Sequence, residues 1–401
     1  MDYSGLAEKY GTPLYVYDFD YIKSRYNALK SQFAARKSLV CYAVKANSNL
    51  SLLKMLANLG AGFDCVSIGE VKRALIAGAK PYKIIYSGVG KSEEEIAQAL
   101  NIGILMLNLE SSEEMLLAER VAKSLGKPAK ISIRINPNID PKTHPYISTG
   151  LSENKFGVSV ADAKKMYLYA KKSEFLEPVG AHFHIGSQLT DLSPIVEAAN
   201  IVSDVVTELL AMEIDIKFFD VGGGIGITYE NELEPDLYAY AQGILAALKG
   251  KDLTIVCEPG RFLVGNSGEL LTRVLYQKTG EKGKRFVITD AAMNDLIRPS
   301  LYQAYHEIKA VSNLNDETQT CDVVGPICES GDFLGKNVSL PPLKSGDLLV
   351  VKSAGAYGFS MSSNYNSRTR PAEVAIEDGS DRLIRARENF DDLIKNEKEY
   401  L

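Results

Sequence analysis

Eight short apolar runs, separated by amphipathic stretches of helical period, fill residues 35–262 and leave this chain few folds to choose from. The runs are 39–44, 62–66, 83–87, 104–108, 129–135, 178–184, 216–221 and 254–258. Each has the length of a buried strand and is bounded by turn formers. The segments between them open like helices. Ser92 precedes Glu93, Glu94 and Glu95, and Ser111 precedes Ser112, Glu113 and Glu114. Both are capping hydroxyls followed by acids that suit a helix N-terminus. Residues 192–212 carry apolar side chains at helical spacing. Eight strand–helix units over about 220–250 residues fit a (β/α)8 barrel. A doubly wound open sheet has the same period and remains the competing α/β architecture.

Beyond Gly268 the texture changes. Strand-like runs recur at 269–276, 285–290, 320–325, 347–352, 372–377 and 382–386 without long helices between them. Turn formers such as Pro341-Pro342 and Asp378-Gly379 punctuate them. This predicts a β-domain. The run Gly11 to Asp18 is one more strand that can join it, and Glu388 to Tyr400 has the pattern of a terminal helix. The expected division is a barrel over 27–268 and a β-domain built from 1–26 and 269–401.

Composition excludes several classes of function. The chain has 401 residues, 45% hydrophobic and 24% charged, with a net charge of −6. These are globular proportions, and the acidic balance disfavours nonspecific nucleic-acid binding. No apolar run approaches the ~20 residues of a membrane span. The start, Met1-Asp2-Tyr3-Ser4-Gly5, lacks the basic and apolar regions of a signal peptide. Five scattered cysteines without a Cys-x-x-Cys fit a reducing cytoplasm rather than a disulfide framework or a zinc site. With only four histidines, no metal centre is expected.

In a barrel, chemistry gathers at the C-terminal strand ends. Here those ends are rich in polar side chains. Lys45 closes Leu39 to Val44 and is followed by Ala46-Asn47-Ser48-Asn49. That position predicts a stem in the interior and a desolvated amine, able to attack a carbonyl as a Schiff-base lysine. A lone lysine capping a strand is the bland alternative. Asp64 lies in the second run, Arg134 ends the fifth, His182 and His184 end the sixth, and Asp220 precedes Gly222-Gly223-Gly224. A glycine triplet after a strand lets backbone N–H groups close on an anion such as a phosphate monoester, or is simply a tight turn. It matches neither the P-loop nor the dinucleotide spacing. Glu258, between a buried run and Pro259, needs a cation. Arg261 is the near candidate and a protonated pyridine nitrogen the functional one. Lysine, phosphate nest and carboxylate together are what pyridoxal phosphate requires. Cys328 sits among turn formers, unlike Cys41, Cys65, Cys257 and Cys321, which read as packing residues. Arg298, beside Tyr302, is either a surface arginine or a clamp for a substrate carboxylate.

Six stretches carry a resemblance: Tyr42 to Asn47, His144 to Gly150, His182 to Gln188, Glu258 to Arg261, Met293 to Pro299, and Gly325 to Asp332. In this order, and with the chain matching from Tyr10 to Glu373, the sequence closely resembles the diaminopimelate decarboxylases. These are fold-type III pyridoxal-phosphate enzymes related to alanine racemase and the eukaryotic ornithine decarboxylases. The resemblance implies a barrel plus a β-domain made from both chain ends, working as a homodimer with shared active sites. It implies that Lys45 carries the cofactor, His184 stacks on its ring, and Glu258 pairs with the ring nitrogen. Asp64 belongs to the cofactor's surroundings, with a simple pairing to Arg134 as the alternative role. Ser187, Gly223, Gly224, Gly260 and Arg261 hold the phosphate, with Tyr357 nearby. Arg261, Arg298, Tyr302, Glu329 and Tyr357 bind substrate, and Cys328 is the proton donor. The implied reaction is decarboxylation of meso-diaminopimelate at its D-centre to L-lysine and CO2. The chain departs from the family pattern at Thr369, where a proline is expected.

Three rivals differ in class. A related ornithine, arginine or carboxynorspermidine decarboxylase is disfavoured by Arg298 and by Glu329 after Cys328, where an ornithine enzyme is expected to carry Asp. An amino-acid racemase needs a catalytic tyrosine in a two-base arrangement. A non-catalytic regulatory homologue would tend to lose Lys45 or Cys328, and both stand.

Overall fold

The structure, a computed structural model, describes residues 1–140, 155–311 and 317–401. Strands are numbered along the chain, starting with β1 (Leu14–Asp18). The next eight are β2 (Ser38–Ala43), β3 (Gly62–Cys65), β4 (Ile84–Tyr86), β5 (Met106–Leu109), β6 (Ala129–Arg134), β7 (Leu176–His182), β8 (Phe218–Asp220) and β9 (Thr254–Cys257). All eight expected runs are strands, and they close into one parallel barrel. Closure is made by β2 and β9, with Ser38 opposite Ile255 and Val40 opposite Cys257. An open doubly wound sheet would leave those edges unpaired, so that alternative falls. Cys41, Ile85, Met106, Val179 and Val256 pack together in the core of the barrel.

The expected caps form. Ser92 Oγ accepts from the Glu95 amide at 3.2 Å while the Glu95 carboxylate accepts from the Ser92 amide at 3.0 Å. This reciprocal box starts the helix Glu93–Ile102. Ser111 caps Ser112–Leu125 in the same position. The long amphipathic stretch is the helix Ser193–Ala211.

The chain divides into two compact units. One comprises Lys23–Ile227 and Leu233–Phe262 and holds the barrel. The other comprises Met1–Ile22, Thr228–Glu232 and Leu263–Leu401. Its sheet has nine strands: β1 with β10 (Gly268–Thr279), β11 (Arg285–Thr289), β12 (Ile308–Ala310), β13 (Gln319–Val324), β14 (Phe333–Leu340), β15 (Leu348–Val351), β16 (Ala372–Glu377) and β17 (Ser380–Arg385). β1 pairs antiparallel with β10 and parallel with β16, so the N-terminal strand is an interior member of this sheet. Leu14 and Val16 meet Leu271, Val350 and Val374 in its core.

Four elements here depart from the sequence expectation. β14 is an edge strand carrying Gly335, Lys336 and Asn337, so it lacks an apolar signature. β12 is only three residues long. A helix at Tyr3–Tyr10, with Leu6 and Ala7 buried, precedes β1. The terminal helix is shorter than the pattern 388–400 suggests: Phe390–Ile394, then a turn at Lys398–Tyr400. Among the described residues no helix is long and apolar enough to cross a membrane.

Candidate active site

Lys45 does not end its strand. β2 stops at Ala43, and Val44–Ala46 form a single 3-10 turn that carries the lysine beyond the sheet. The amide of Ala43 donates to the Pro259 carbonyl at 3.1 Å, which ties this turn to the segment after β9. A side chain on Gly260 would sit 3.1 Å from the Ala46 methyl, so that segment needs its glycine for close packing. Lys45 Nζ lies 3.4 Å from Asp64 Oδ2, and its side chain is 41% exposed while that of Asp64 is 1% exposed. The sequence argument for a buried, desolvated amine is therefore corrected. What is buried is the carboxylate beneath the amine, because the 3-10 turn lifts the lysine into the open end of the barrel.

Three carboxylates crowd the ends of β3, β8 and β9. His182, Asp220 and Glu258 bring their polar atoms within 4.8 Å of one another, all buried. Glu258 Oε2 is 3.5 Å from His182 Nε2. The basic side chain beside Glu258 is thus a histidine, a partner the sequence reading did not name. Asn108 Nδ2 reaches toward Asp220 at 3.4 Å and Glu258 at 3.5 Å, and donates to Ser87 Oγ at 3.1 Å. Burial pushes the Asp220 carboxyl well up, and nearby Glu258 adds to the rise. Asp64 is raised for the same two reasons, with Lys45 opposing. Burial acts against Glu258 too, but His182, Lys45 and His184 outweigh it and hold it down to about 2. Like charges this close do not all ionise. Glu258 keeps the negative charge.

The glycine run after β8 is shaped by close contacts. Gly222 and Gly224 have φ of 67° and 104°, the left-handed region. A Cβ on Gly223 would lie 2.3 Å from the Glu258 carbonyl oxygen. The Gly223 amide donates to His184 Nδ1 at 3.1 Å, so that nitrogen is an acceptor and a neutral ring carries its proton on Nε2. Burial, with Arg134 and Lys45 close by, holds His184 well below the usual histidine range. Arg261 donates to Ser187 Oγ at 3.1 Å. Arg134 does not pair with Asp64. It donates to Glu110 Oε1 at 2.9 Å and to the His184 carbonyl at 3.1 Å. Glu110 Oε2 in turn accepts from the Gly157 amide at 2.7 Å.

The remaining candidates belong to the β unit. Arg298 opens the short helix Arg298–Tyr302 and is buried, contrary to a surface reading. Cys328 is exposed, whereas Cys41, Cys65, Cys257 and Cys321 are buried, as expected of packing residues. The turn around Cys328 is pinned by Asp332, whose carboxylate accepts from the Ile327 and Met293 amides at 2.8 Å each. The Cys328 amide donates to Asn366 Oδ1 at 2.8 Å, and Glu329 bonds Tyr365. Tyr357 holds a φ of 56°, a strained value for a tyrosine. The stretch His144 to Gly150 lies outside the described residues.

Sequence reasoning assigned no role to Asn108, Glu110, His182 or Asp220. A signal existed for the first two: each is polar and immediately follows or interrupts an apolar run.

The donor set of the barrel mouth fits pyridoxal phosphate. It combines an accessible lysine amine, an ionised carboxylate deep in the barrel, a glycine turn and a neutral imidazole. Asp64 Oδ1 is a buried acceptor with no hydrogen-bond partner among the described residues.

Comparisons with known proteins agree with this geometry. The family described as pyridoxal-dependent decarboxylase, pyridoxal binding domain, matches residues 19–265. The diaminopimelate decarboxylase of Campylobacter jejuni is 65% identical over 402 residues, covering 100% of both chains. That of Helicobacter pylori (strain J99) is 59% identical over 100% of this chain and 99% of its own. A crystal structure of diaminopimelate decarboxylase from Helicobacter pylori complexed with L-lysine superposes with a TM-score of 0.97 at 58% identity, covering 100% of both chains.

Proposed function

The chain belongs to the diaminopimelate decarboxylases, and we propose that it decarboxylates meso-diaminopimelate at its D-centre, releasing CO2 and L-lysine, with pyridoxal phosphate as cofactor. The observation that carries the reading is the barrel mouth, where Lys45 stands over buried Asp64 and Glu258 alone of three crowded carboxylates has its pKa pushed down rather than up. When bound, the cofactor supplies an electron sink for the pair left behind when the carboxylate departs.

The residues then take these roles. Lys45 Nζ would be the amine that holds the cofactor. Glu258 would face the ring nitrogen as a carboxylate, which its low pKa suits, and His184 would line the ring as a neutral imidazole. Ser187, Gly223, Gly224, Gly260 and Arg261 hold the phosphate, with Asp64 and Tyr357 nearby. Arg261, Arg298, Tyr302, Glu329 and Tyr357 recognise the far end of the substrate, a zwitterion that calls for both charges. Cys328 delivers the proton to the carbon that lost CO2. Residues 27–268 act as the cofactor-binding domain, and 1–26 with 269–401 as the β-domain. The working form is a cytoplasmic homodimer in which Cys328 of one protomer serves the partner's site.

The test is release of CO2 and L-lysine from meso-diaminopimelate by purified protein with pyridoxal phosphate, beside ornithine and arginine. Stoichiometric lysine from meso-diaminopimelate alone is the expected result. CO2 from ornithine or arginine instead would move the substrate and overturn the reading.

A further inference from the structure

Arg298 is set in place by two side chains outside the motifs that carry the family resemblance. One Nη1 proton goes to Tyr229 Oη at 2.7 Å, and the same nitrogen lies 3.3 Å from His306 Nε2. The guanidinium also lies over the Tyr229 ring, 4.9 Å from its centroid. The Tyr229 and His306 rings meet edge to face at 5.5 Å. His306 and Arg298 are both buried.

The partners fix the tautomer of His306 without any titration argument. Its Nδ1 lies 2.9 Å from the Lys352 carbonyl oxygen. A carbonyl cannot donate, so Nδ1 carries the proton. A guanidinium cannot accept, so Nε2 is bare and accepts from Arg298. Both ring nitrogens are thereby used by a neutral imidazole. The frame behind it is rigid. Ile308 pairs with Val351 in the β12–β15 ladder, and the Lys352 amide donates to the Glu307 carbonyl at 2.8 Å. Lys352 directly follows β15 and His306 lies two residues before β12, so the sheet fixes the acceptor.

We propose that Tyr229 and neutral His306 are positioning residues that preset the Arg298 guanidinium for the carboxylate at the far end of the substrate. This rests on the reading of Arg298 as a substrate-binding residue. A guanidinium already oriented loses less freedom when the carboxylate arrives, so the gain falls on affinity. Protonated His306 would turn an N–H toward Arg298 and oppose it with a like charge. Tyr229 comes from the five-residue segment Thr228–Glu232, which lies between β8 and β9 in sequence yet belongs to the β unit. That excursion of the chain supplies one of the two anchors.

The test uses the loaded full-length enzyme and four variants: Arg298→Ala, Tyr229→Phe, His306→Asn and His306→Gln. Readouts are KM and kcat for meso-diaminopimelate, calorimetric binding of L-lysine, cofactor absorbance and melting temperature. Asn places a donor where Nδ1 stood but cannot reach Arg298. Gln places an acceptor where Nε2 stood. Tyr229→Phe and His306→Asn each raise KM and the L-lysine Kd roughly ten-fold, the scale of one hydrogen bond to a charged group. Their kcat and cofactor absorbance stay unchanged, and His306→Gln keeps near-normal affinity. If Arg298→Ala weakens binding while Tyr229→Phe and both His306 variants bind normally, the proposal fails and the reading of Arg298 stands. Equal loss in His306→Asn and His306→Gln, with a lowered melting temperature, would make His306 a purely structural residue and overturn the proposal. Unchanged binding in Arg298→Ala would overturn the substrate reading and the proposal with it.

Discussion

Two lysines near the strand ends of one barrel are treated in opposite ways. Lys91, beyond β4, is 1% exposed, and its partner Glu114 is 7% exposed. Its three ammonium protons go to Glu114 Oε1 at 2.6 Å and to the Gly88 and Asn108 carbonyls at 2.7 Å each. Glu114 Oε2 accepts from the Glu110 amide at 2.7 Å. Such a buried pair is tolerated because every charge-bearing atom has a close partner. Lys45 is 41% exposed and meets Asp64 at 3.4 Å, beyond the ~2.7–2.9 Å of strong charge-assisted bonds. A structural lysine is saturated. The one proposed to react stays accessible, above a carboxylate whose buried Oδ1 has no hydrogen-bond partner among the described residues.

The comparison breaks or holds on variants. Lys45→Ala is expected to reduce turnover to background and remove the cofactor absorbance band. It should cost the apo protein at most about 1 kcal/mol, as for other partly exposed pairs. A large loss of stability in that variant would put Lys45 in the same class as Lys91. Lys91→Met is expected to destabilise the barrel by about 3–5 kcal/mol, because Glu114 is left buried without its cation. Chemical denaturation would measure it, and a cofactor band that survives in the folded fraction would confirm the separation. Glu258→Gln is expected to lower kcat about 10²–10³-fold, the scale of one preorganised electrostatic partner, with a smaller loss of stability than Lys91→Met because Gln keeps an acceptor facing His182. A stability loss like that of Lys91→Met would make Glu258 structural.

The smallest effect concerns Glu70, in the helix after β3. Burial pushes its carboxyl up to about 7, Asp64 adds to the rise, and Lys45 opposes it. The folded protein thus holds a proton that the unfolded chain releases above about 4.5. The stabilising contribution is complete below that pH and is lost as pH rises through about 7. Wild type should therefore lose melting temperature from pH 5 to 8 relative to Glu70→Gln. Parallel curves would show that the crowding around Asp64 does not extend to Glu70.

Much of this was legible in the sequence, for definite reasons. Strands buried in a parallel barrel have no polar face, so their apolar runs stand out, and all eight were found. Ser92 and Ser111 announce helix starts because capping is a local reaction of a hydroxyl with amides two or three residues on. Edge strand β14 was invisible because it is half polar, and the 3-10 turn at Lys45 because one turn has no periodicity. The chemistry of Lys45 and Glu258 could be suspected from position, but not the state of either group.

Local pattern, then, determined the barrel, the β character of the second half and the candidates at the strand ends. Hydrophobic periodicity and capping act within a few residues and are written in the chain. Only the tertiary structure decided which carboxylate keeps its charge, that His182 lies beside Glu258, and that Tyr229 joins His306 around Arg298. Those outcomes depend on burial and on distances of a few ångströms between residues far apart in sequence. Electrostatic energies change steeply over that range.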